Sequence, residues 1–239
     1  MTRPFAVFDI DGTIIRWQLY HALADELART GHLDPRQFDK VRQARMSWKK
    51  RAGADSYTVY EQILVDLIDA AISTISVDTL EQACHDVLAE YKDQVYTYTR
   101  DLIKTLKAEN YLLFAISASQ IEIVGRLADY YGFDDFGGSV YETKDGYFTG
   151  KRQDLRQERK TVYLKELVKK HNASWSGSIA VGDSESDIPM LSAVEQPIAF
   201  NPTRELFQYA RRHGWPVVVE RKNMVYRLEP LDGGYKVAT

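Results

Sequence analysis

Phe5-Ala6-Val7-Phe8-Asp9-Ile10-Asp11-Gly12-Thr13 is an apolar run of aromatic and β-branched residues that ends in two aspartates and a glycine. A run this short, with no polar alternation, reads as a strand buried on both faces that stops at Asp9. Runs of the same kind recur at Tyr111-Leu-Leu-Phe-Ala-Ile-Ser117, Ser178-Ile-Ala-Val-Gly182, Pro197-Ile-Ala-Phe200 and Pro216-Val-Val-Val-Glu220. Helical periodicity separates them, at about 98–109, 119–131, 158–171, 185–193 and 203–212. Strands that alternate with helices of this length build a parallel sheet covered on both faces. The expected fold class is therefore α/β, a doubly wound, Rossmann-like sheet.

One region departs from the alternation. From about residue 16 to 95 there is no strand-like run, only helical spacing such as Leu19, Leu23 and Leu27, then Ile63, Leu64, Leu67 and Ile68. About 80 residues suits a small all-helical domain of about four helices. The expected division is a core of 1–15 and 96–239 with an inserted helical domain at 16–95. Within the core, Gly137 to Gly150 carries two short alternating runs around Lys144-Asp145-Gly146, a hairpin signal.

The 239 residues are 44% hydrophobic and 27% charged, a globular composition able to form a core without staples. Cys84 is the sole cysteine, which excludes an intramolecular disulfide and a cysteine-rich zinc site and points to a reducing compartment. With 31 basic against 34 acidic residues, no overall field favours nucleic acid. Asp9 and Asp11 interrupt the amino terminus before any signal-length apolar stretch, and no membrane-length run exists. These features give the expectation of a cytoplasmic protein with neither membrane nor nucleic-acid partners, in which Asn172-Ala-Ser174 has no glycosylation meaning.

Three expected strands deliver polar clusters at their carboxyl ends: Asp9-Ile-Asp11-Gly12-Thr13, Ser117-Ala118-Ser119, and Gly182-Asp183-Ser184-Glu185-Ser186-Asp187. In an open α/β sheet, that edge is where ligands bind. Four aspartates converging there repel when ionised, and a divalent cation is the usual neutraliser. Carboxylates without histidine or cysteine favour a hard cation, so magnesium is the expected cofactor.

These residues, in this order and spacing, resemble the haloacid dehalogenase superfamily of phosphohydrolases, and more narrowly its phosphoserine-phosphatase-like branch. The resemblance spans about 5–15 and 98–220, plus the position of a helical cap. Asp9-Ile-Asp11-Gly-Thr13 is similar to the first family motif and Ser117 to the second. Lys160, 23 residues before Asp183, is similar to the third, with Lys144, Lys151, Arg152, Arg156 and Arg159 as nearby alternatives. Gly182-Asp183-Ser-Glu-Ser-Asp187-Ile-Pro-Met-Leu191 resembles the fourth. The resemblance implies hydrolysis of a small phosphate monoester, with Asp9 as nucleophile and Asp11 as general acid and base. It implies magnesium held by Asp9, the Asp11 backbone carbonyl and Asp183, with Asp187 orienting from behind. Ser117, Ala118 and Lys160 would bind the phosphoryl oxygens. It also implies that the helical insertion is a cap that closes over the site and selects the leaving group.

Rival readings fit less well. Gly182-Asp183-Ser184 superficially resembles a serine-esterase block, but no histidine in the chain has an aspartate three residues before it, and no Gly-x-Ser-x-Gly elbow exists. A calcium loop beginning at Asp9 would require glutamate where Tyr20 stands. No glycine-rich dinucleotide motif exists, and Gly146 to Arg152 misses the phosphate-loop spacing. A non-catalytic binding protein would usually lack one of the four aspartates, whereas phosphoserine phosphatase proper and a phosphotransferase of the same superfamily stay open as alternatives. In the insertion, the Arg42, Arg45, Lys49, Lys50 and Arg51 run reads as a solvated face more often than as a contact for an anionic substrate, and Trp17, Tyr20, Trp48, Tyr57 and Tyr60 read as packing residues before a substrate platform. Gln18 stands where phosphoserine phosphatases carry a glutamate for the substrate's ammonium group.

Overall fold

The computed structural model describes residues 2–53, 55–231 and 234–238. In chain order the elements are β1 (Pro4–Phe8), α1 (Leu19–Arg29), α2 (Pro35–Lys49), α3 (Ser56–Ala71), α4 (Val77–Tyr91), α5 (Thr97–Ala108), β2 (Leu112–Gln120), α6 (Ile121–Tyr131), β3 (Asp135–Lys144) and β4 (Tyr147–Gln153). They continue with α7 (Glu158–Lys170), β5 (Ser174–Gly182), α8 (Ile188–Leu191), β6 (Gln196–Phe200), α9 (Arg204–His213), β7 (Val217–Arg221), β8 (Met224–Leu231) and β9 (Gly234–Val237). Short 3₁₀ turns occupy Ile72–Thr74 and Glu185–Asp187.

The chain divides into two compact units. The first comprises Met1–Gln18, Glu90–Ser139 and Asp154–Thr239, and the second Leu19–Ala89 and Val140–Gln153.

In the first unit the sheet order runs β3-β2-β1-β5-β6-β7-β8-β9. Pairing is parallel from β3 through β7 and antiparallel at β7/β8 and β8/β9. The fold is thus α/β with a mainly parallel sheet. Phe5 to Phe8 are all fully buried, because β1 lies at the centre with helices over both faces. Phe5, Val7, Phe114, Ile116 and Ala180 pack with Leu164 and Leu167 of α7 and Leu206 of α9 in one core. The edge hairpin β8–β9 extends the sheet beyond the last strand expected from the sequence. Its β8 residues are exposed at all but one position, so no burial periodicity marks it.

The second unit contains α1 to α3 and most of α4, with Leu19, Leu23, Leu27, Leu64 and Ile68 on buried faces. It is not purely helical. Val140–Gln153 groups with it, whereas the sequence placed this stretch with 96–239, and Glu90–Val95 groups with the sheet. The physical reason is local. Ser76 bridges Tyr147 of β4, the Val77 N–H donates to the Gly146 carbonyl, and Tyr141 and Arg152 both bond Asp69 of α3. Arg45 ties α2 to α1 through Asp25 and stacks on Tyr60. Among the described residues, no helix is long and apolar enough to cross a membrane.

Candidate active site

Asp9 follows β1 directly, and its N–H donates to the Val181 carbonyl of β5 at 2.9 Å. The next residues fold back on themselves, the Ile10 carbonyl accepting the N–H groups of Thr13, Ile14 and Ile15 at 2.8–3.2 Å. Ile10, Ile14 and Ile15 are fully buried and hold this loop in place. Thr99 Oγ1 donates to the Thr13 carbonyl at 2.9 Å, and α5 is itself fixed by Glu220, whose carboxylate accepts the Thr97 and Tyr98 N–H groups at 3.1 and 2.8 Å. A carboxylate from a distant strand thus satisfies two orphan donors of a helix start.

Gly12 has φ +83°, the left-handed region, and a Cβ there would collide with the Asp183 carboxylate. The glycine of the first motif is therefore required both by the turn and by the close pass of the acid from β5.

Lys160 lies in the first turn of α7 with only 2% of its surface exposed. Its Nζ donates to Asp9 Oδ1 at 2.7 Å and to Asp187 Oδ1 at 2.6 Å. Burial alone would lower the lysine's proton affinity, but Asp187 and Asp9 outweigh it and raise the pKa, so the amine is a cation. Of the alternatives from the sequence, Lys151, Arg152 and Arg159 pair with Glu142, Asp69 and Asp154 instead.

The other Asp187 oxygen, Oδ2, accepts the N–H groups of Asp183 and Ser184 at 3.2 and 3.1 Å and the Ser184 hydroxyl at 3.1 Å. Asp187 is fully buried. Gly182 permits this packing, since a Cβ there would lie 2.6 Å from that of Asp187. Asp9, Asp183 and Asp187 can each present an oxygen within 4.8 Å of the others. Burial raises Asp9 to about 7, with Lys160 pulling it down and Asp187 and Asp11 pushing it up. Asp183 is likewise raised well above the usual carboxylate range by burial, then by Asp9 and Asp187.

The Asp11 carboxylate bonds the end of β2. Its Oδ2 accepts Ser117 Oγ at 2.6 Å and Ser119 Oγ at 2.8 Å. Ala118 between them is half-buried, and its carbonyl accepts Ser139 Oγ at 2.7 Å. Ser119 lies outside the expected site residues, and the signal for it is the two-residue periodicity of β2, which aims Ser117 and Ser119 to the same face. Tyr96 is a further residue outside the expected set, its hydroxyl pKa raised by burial and then by Asp183.

The Lys160→Met protein is expected to be less stable by about 3–5 kcal/mol in metal-free buffer, because Asp9 and Asp187 would stay buried without their cation. A urea melt measures this, and a loss below about 1 kcal/mol would contradict the arrangement.

Residues 6–192 match the family model described as haloacid dehalogenase-like hydrolase. The chain is 30% identical over 127 residues to the putative hydrolase ML2424 of Mycobacterium leprae (strain TN), covering 52% of this chain and 42% of that protein. It thus spans less than half the length of that relative. A histidinol-phosphatase of Neisseria meningitidis serogroup C (strain 8013) is 25% identical over 230 residues, 90% of this chain and 98% of that one. Among solved structures, a phospho-aspartyl intermediate analogue of phosphoserine phosphatase superposes with a TM-score of 0.63 at 18% identity, covering 93% of this chain and 95% of that one. At that identity the likeness is one of fold. With polar clusters from three strand ends, Lys160 of α7 bonded to two of their aspartates, and a family match across more than half its length, this chain belongs to the haloacid dehalogenase-like hydrolases.

Proposed function

We propose that the chain is a magnesium-dependent phosphatase that hydrolyses a small phosphate monoester through a phosphoryl group carried on Asp9. The observation that carries this reading is the grouping of buried Asp9 and Asp187 with half-buried Asp183, the first two both accepting from the Lys160 amine. The second unit is the counterpart of the family's cap.

The donor set suits the ion. It is all oxygen, which favours a hard cation, and the proton affinity of Asp9 and Asp183 is raised by a desolvation and repulsion that a divalent cation relieves. Asp9, the Asp11 backbone carbonyl and Asp183 would hold it. Asp187, whose oxygens already serve Lys160 and two backbone N–H groups, would steady the loop that presents Asp183. When bound, magnesium supplies positive charge against the phosphoryl oxygens.

In the first step an Asp9 oxygen attacks phosphorus, the bond to the ester oxygen breaks, and Asp11 gives that oxygen a proton. In the second, water attacks the same phosphorus and yields a proton to Asp11, while the Asp9–phosphorus bond breaks and inorganic phosphate leaves. Lys160, fixed on one Asp9 oxygen, keeps the carboxylate from rotating and places a positive charge beside the phosphoryl group. Ser117 Oγ and the Ala118 N–H would donate to phosphoryl oxygens. Uncatalysed phosphate-monoester hydrolysis is slow enough to need rate enhancements of up to ~10²¹, so several groups must act together.

The test is phosphate release from a panel of monoesters by the purified chain with magnesium. Activity should disappear with excess chelator and return on adding magnesium. Undiminished turnover in metal-free buffer would overturn the metal assignment, and failure on every ester would overturn the phosphatase reading.

A further inference from the structure

The two hydroxyls at the end of β2 stand in different positions toward Asp11. Ser117 Oγ donates to Asp11 Oδ2 and accepts the Ser119 N–H at 2.9 Å, while Ser119 Oγ donates to the same Asp11 oxygen. A hydroxyl has one proton to give. If Ser117 donates to a phosphoryl oxygen, as the phosphatase reading requires, that proton leaves Asp11 when the ester binds. Ser119 has no such second duty. It is 2% exposed, and its backbone is held by the Ser117 contact and by Gly138, where a Cβ would lie 2.9 Å from the Ser119 carbonyl oxygen. Its side chain is thus set by packed strand backbone and not by the ligand.

We infer that Ser119 is a positioning residue for the reaction proposed above: its hydroxyl keeps hold of the Asp11 carboxylate while the Ser117 proton turns to the ester. Asp11 then stays aimed, first at the leaving oxygen and later at the attacking water. The inference rests on the phosphatase reading, and its consequence is specific to proton transfer. An alkyl ester departs as a strongly basic alkoxide unless Asp11 protonates it. p-Nitrophenolate departs without that help. A misaimed Asp11 therefore slows phosphorylation by the first ester and spares it for the second, whereas a general loosening of the site slows both.

The experiment compares wild type, Ser119→Ala and Ser119→Thr, each with magnesium, on p-nitrophenyl phosphate and on the best alkyl phosphate of the panel. The parameter read is kcat/KM, which reports steps through the first irreversible one. For Ser119→Ala the alkyl ester should lose about tenfold or more in kcat/KM, the scale of one hydrogen bond, and the aryl ester less than about threefold. Ser119→Thr restores a hydroxyl and should recover the alkyl ester to within about threefold of wild type. Equal losses on both esters, no loss on either, or a folded threonine variant that behaves like alanine would each overturn the assignment. Wild type inactive on both esters would instead sink the phosphatase reading and this role with it.

Discussion

The Asp9→Asn protein is expected to release no measurable phosphate from any ester that wild type hydrolyses, a loss on the order of 10³-fold or more. Asparagine has nearly the same shape and its amide oxygen still accepts from Lys160, so the substitution removes the nucleophile while leaving a partner for the buried amine. Mass spectrometry of wild type trapped during turnover should place the phosphoryl adduct on Asp9. An adduct on Ser184 would support the esterase-like alternative. The Asp11→Asn protein should differ in kind, keeping a nucleophile but slowing leaving-group departure and hydrolysis of the intermediate.

The same substitution tests the electrostatics independently of catalysis. Burial raises Asp9 from 3.8 to about 7, so the folded chain holds that proton more tightly than the unfolded chain does. For an acid shifted this way, metal-free stability is lost as pH rises from about 4 to about 7, and the loss is complete above that window. Asparagine does not ionise. Without magnesium, Asp9→Asn should therefore melt above wild type at pH 8, with the difference shrinking toward pH 4. A lower Tm at pH 8 would mean that the Lys160 pair outweighs the desolvation of Asp9.

The parallel strands β1, β2, β5, β6 and β7 and the residues at their carboxyl ends were legible because both signals are local, whereas β3, which also pairs parallel with β2, reads only as one arm of a hairpin. An apolar run of about four to seven residues can be read without its neighbours, and carboxylates placed just after such runs fall on one sheet edge by topology alone. What was not legible depends on contacts distant in sequence. Glu220 caps α5 from more than 120 residues away, and nothing near either residue announces it. Ser119 falls at the start of the helix expected at 119–131, whereas β2 runs on to Gln120 and keeps it on the strand. The edge hairpin escaped for the opposite reason. β8 is wet at nearly every position and includes Pro230, a residue depleted in strands, so neither burial pattern nor propensity marks it as strand. The helix expected at 185–193 is a 3₁₀ turn followed by one short helix, because Asp187 uses its carboxylate to gather the N–H groups of the turn.

Substrate preference should turn on Gln18. Phosphoserine phosphatases carry a glutamate seven residues after the second motif aspartate, and it receives the ammonium group of the substrate; here that position is Gln18. The inserted region likewise lacks the Ser-Leu-Arg sequence that supplies those enzymes' carboxylate-binding arginine. A neutral amide accepts a hydrogen bond from an ammonium but gives no ion pair, and charge-assisted bonds are roughly twice as strong as neutral ones. Losing one such contact in a desolvated site costs about 2–5 kcal/mol, or on the order of 30- to 5,000-fold in kcat/KM. Free phosphoserine should therefore rank well below the best substrate in a panel of sugar, nucleoside, choline, glycerol and histidinol phosphates at equal magnesium. Gln18→Glu should narrow that gap by raising efficiency on phosphoserine more than on glycerol phosphate, since the new charge meets an ammonium in one ester and nothing in the other. Phosphoserine ranking first by more than about tenfold would show that another residue takes the amine, and an unselective Gln18→Glu would place position 18 outside the leaving-group site.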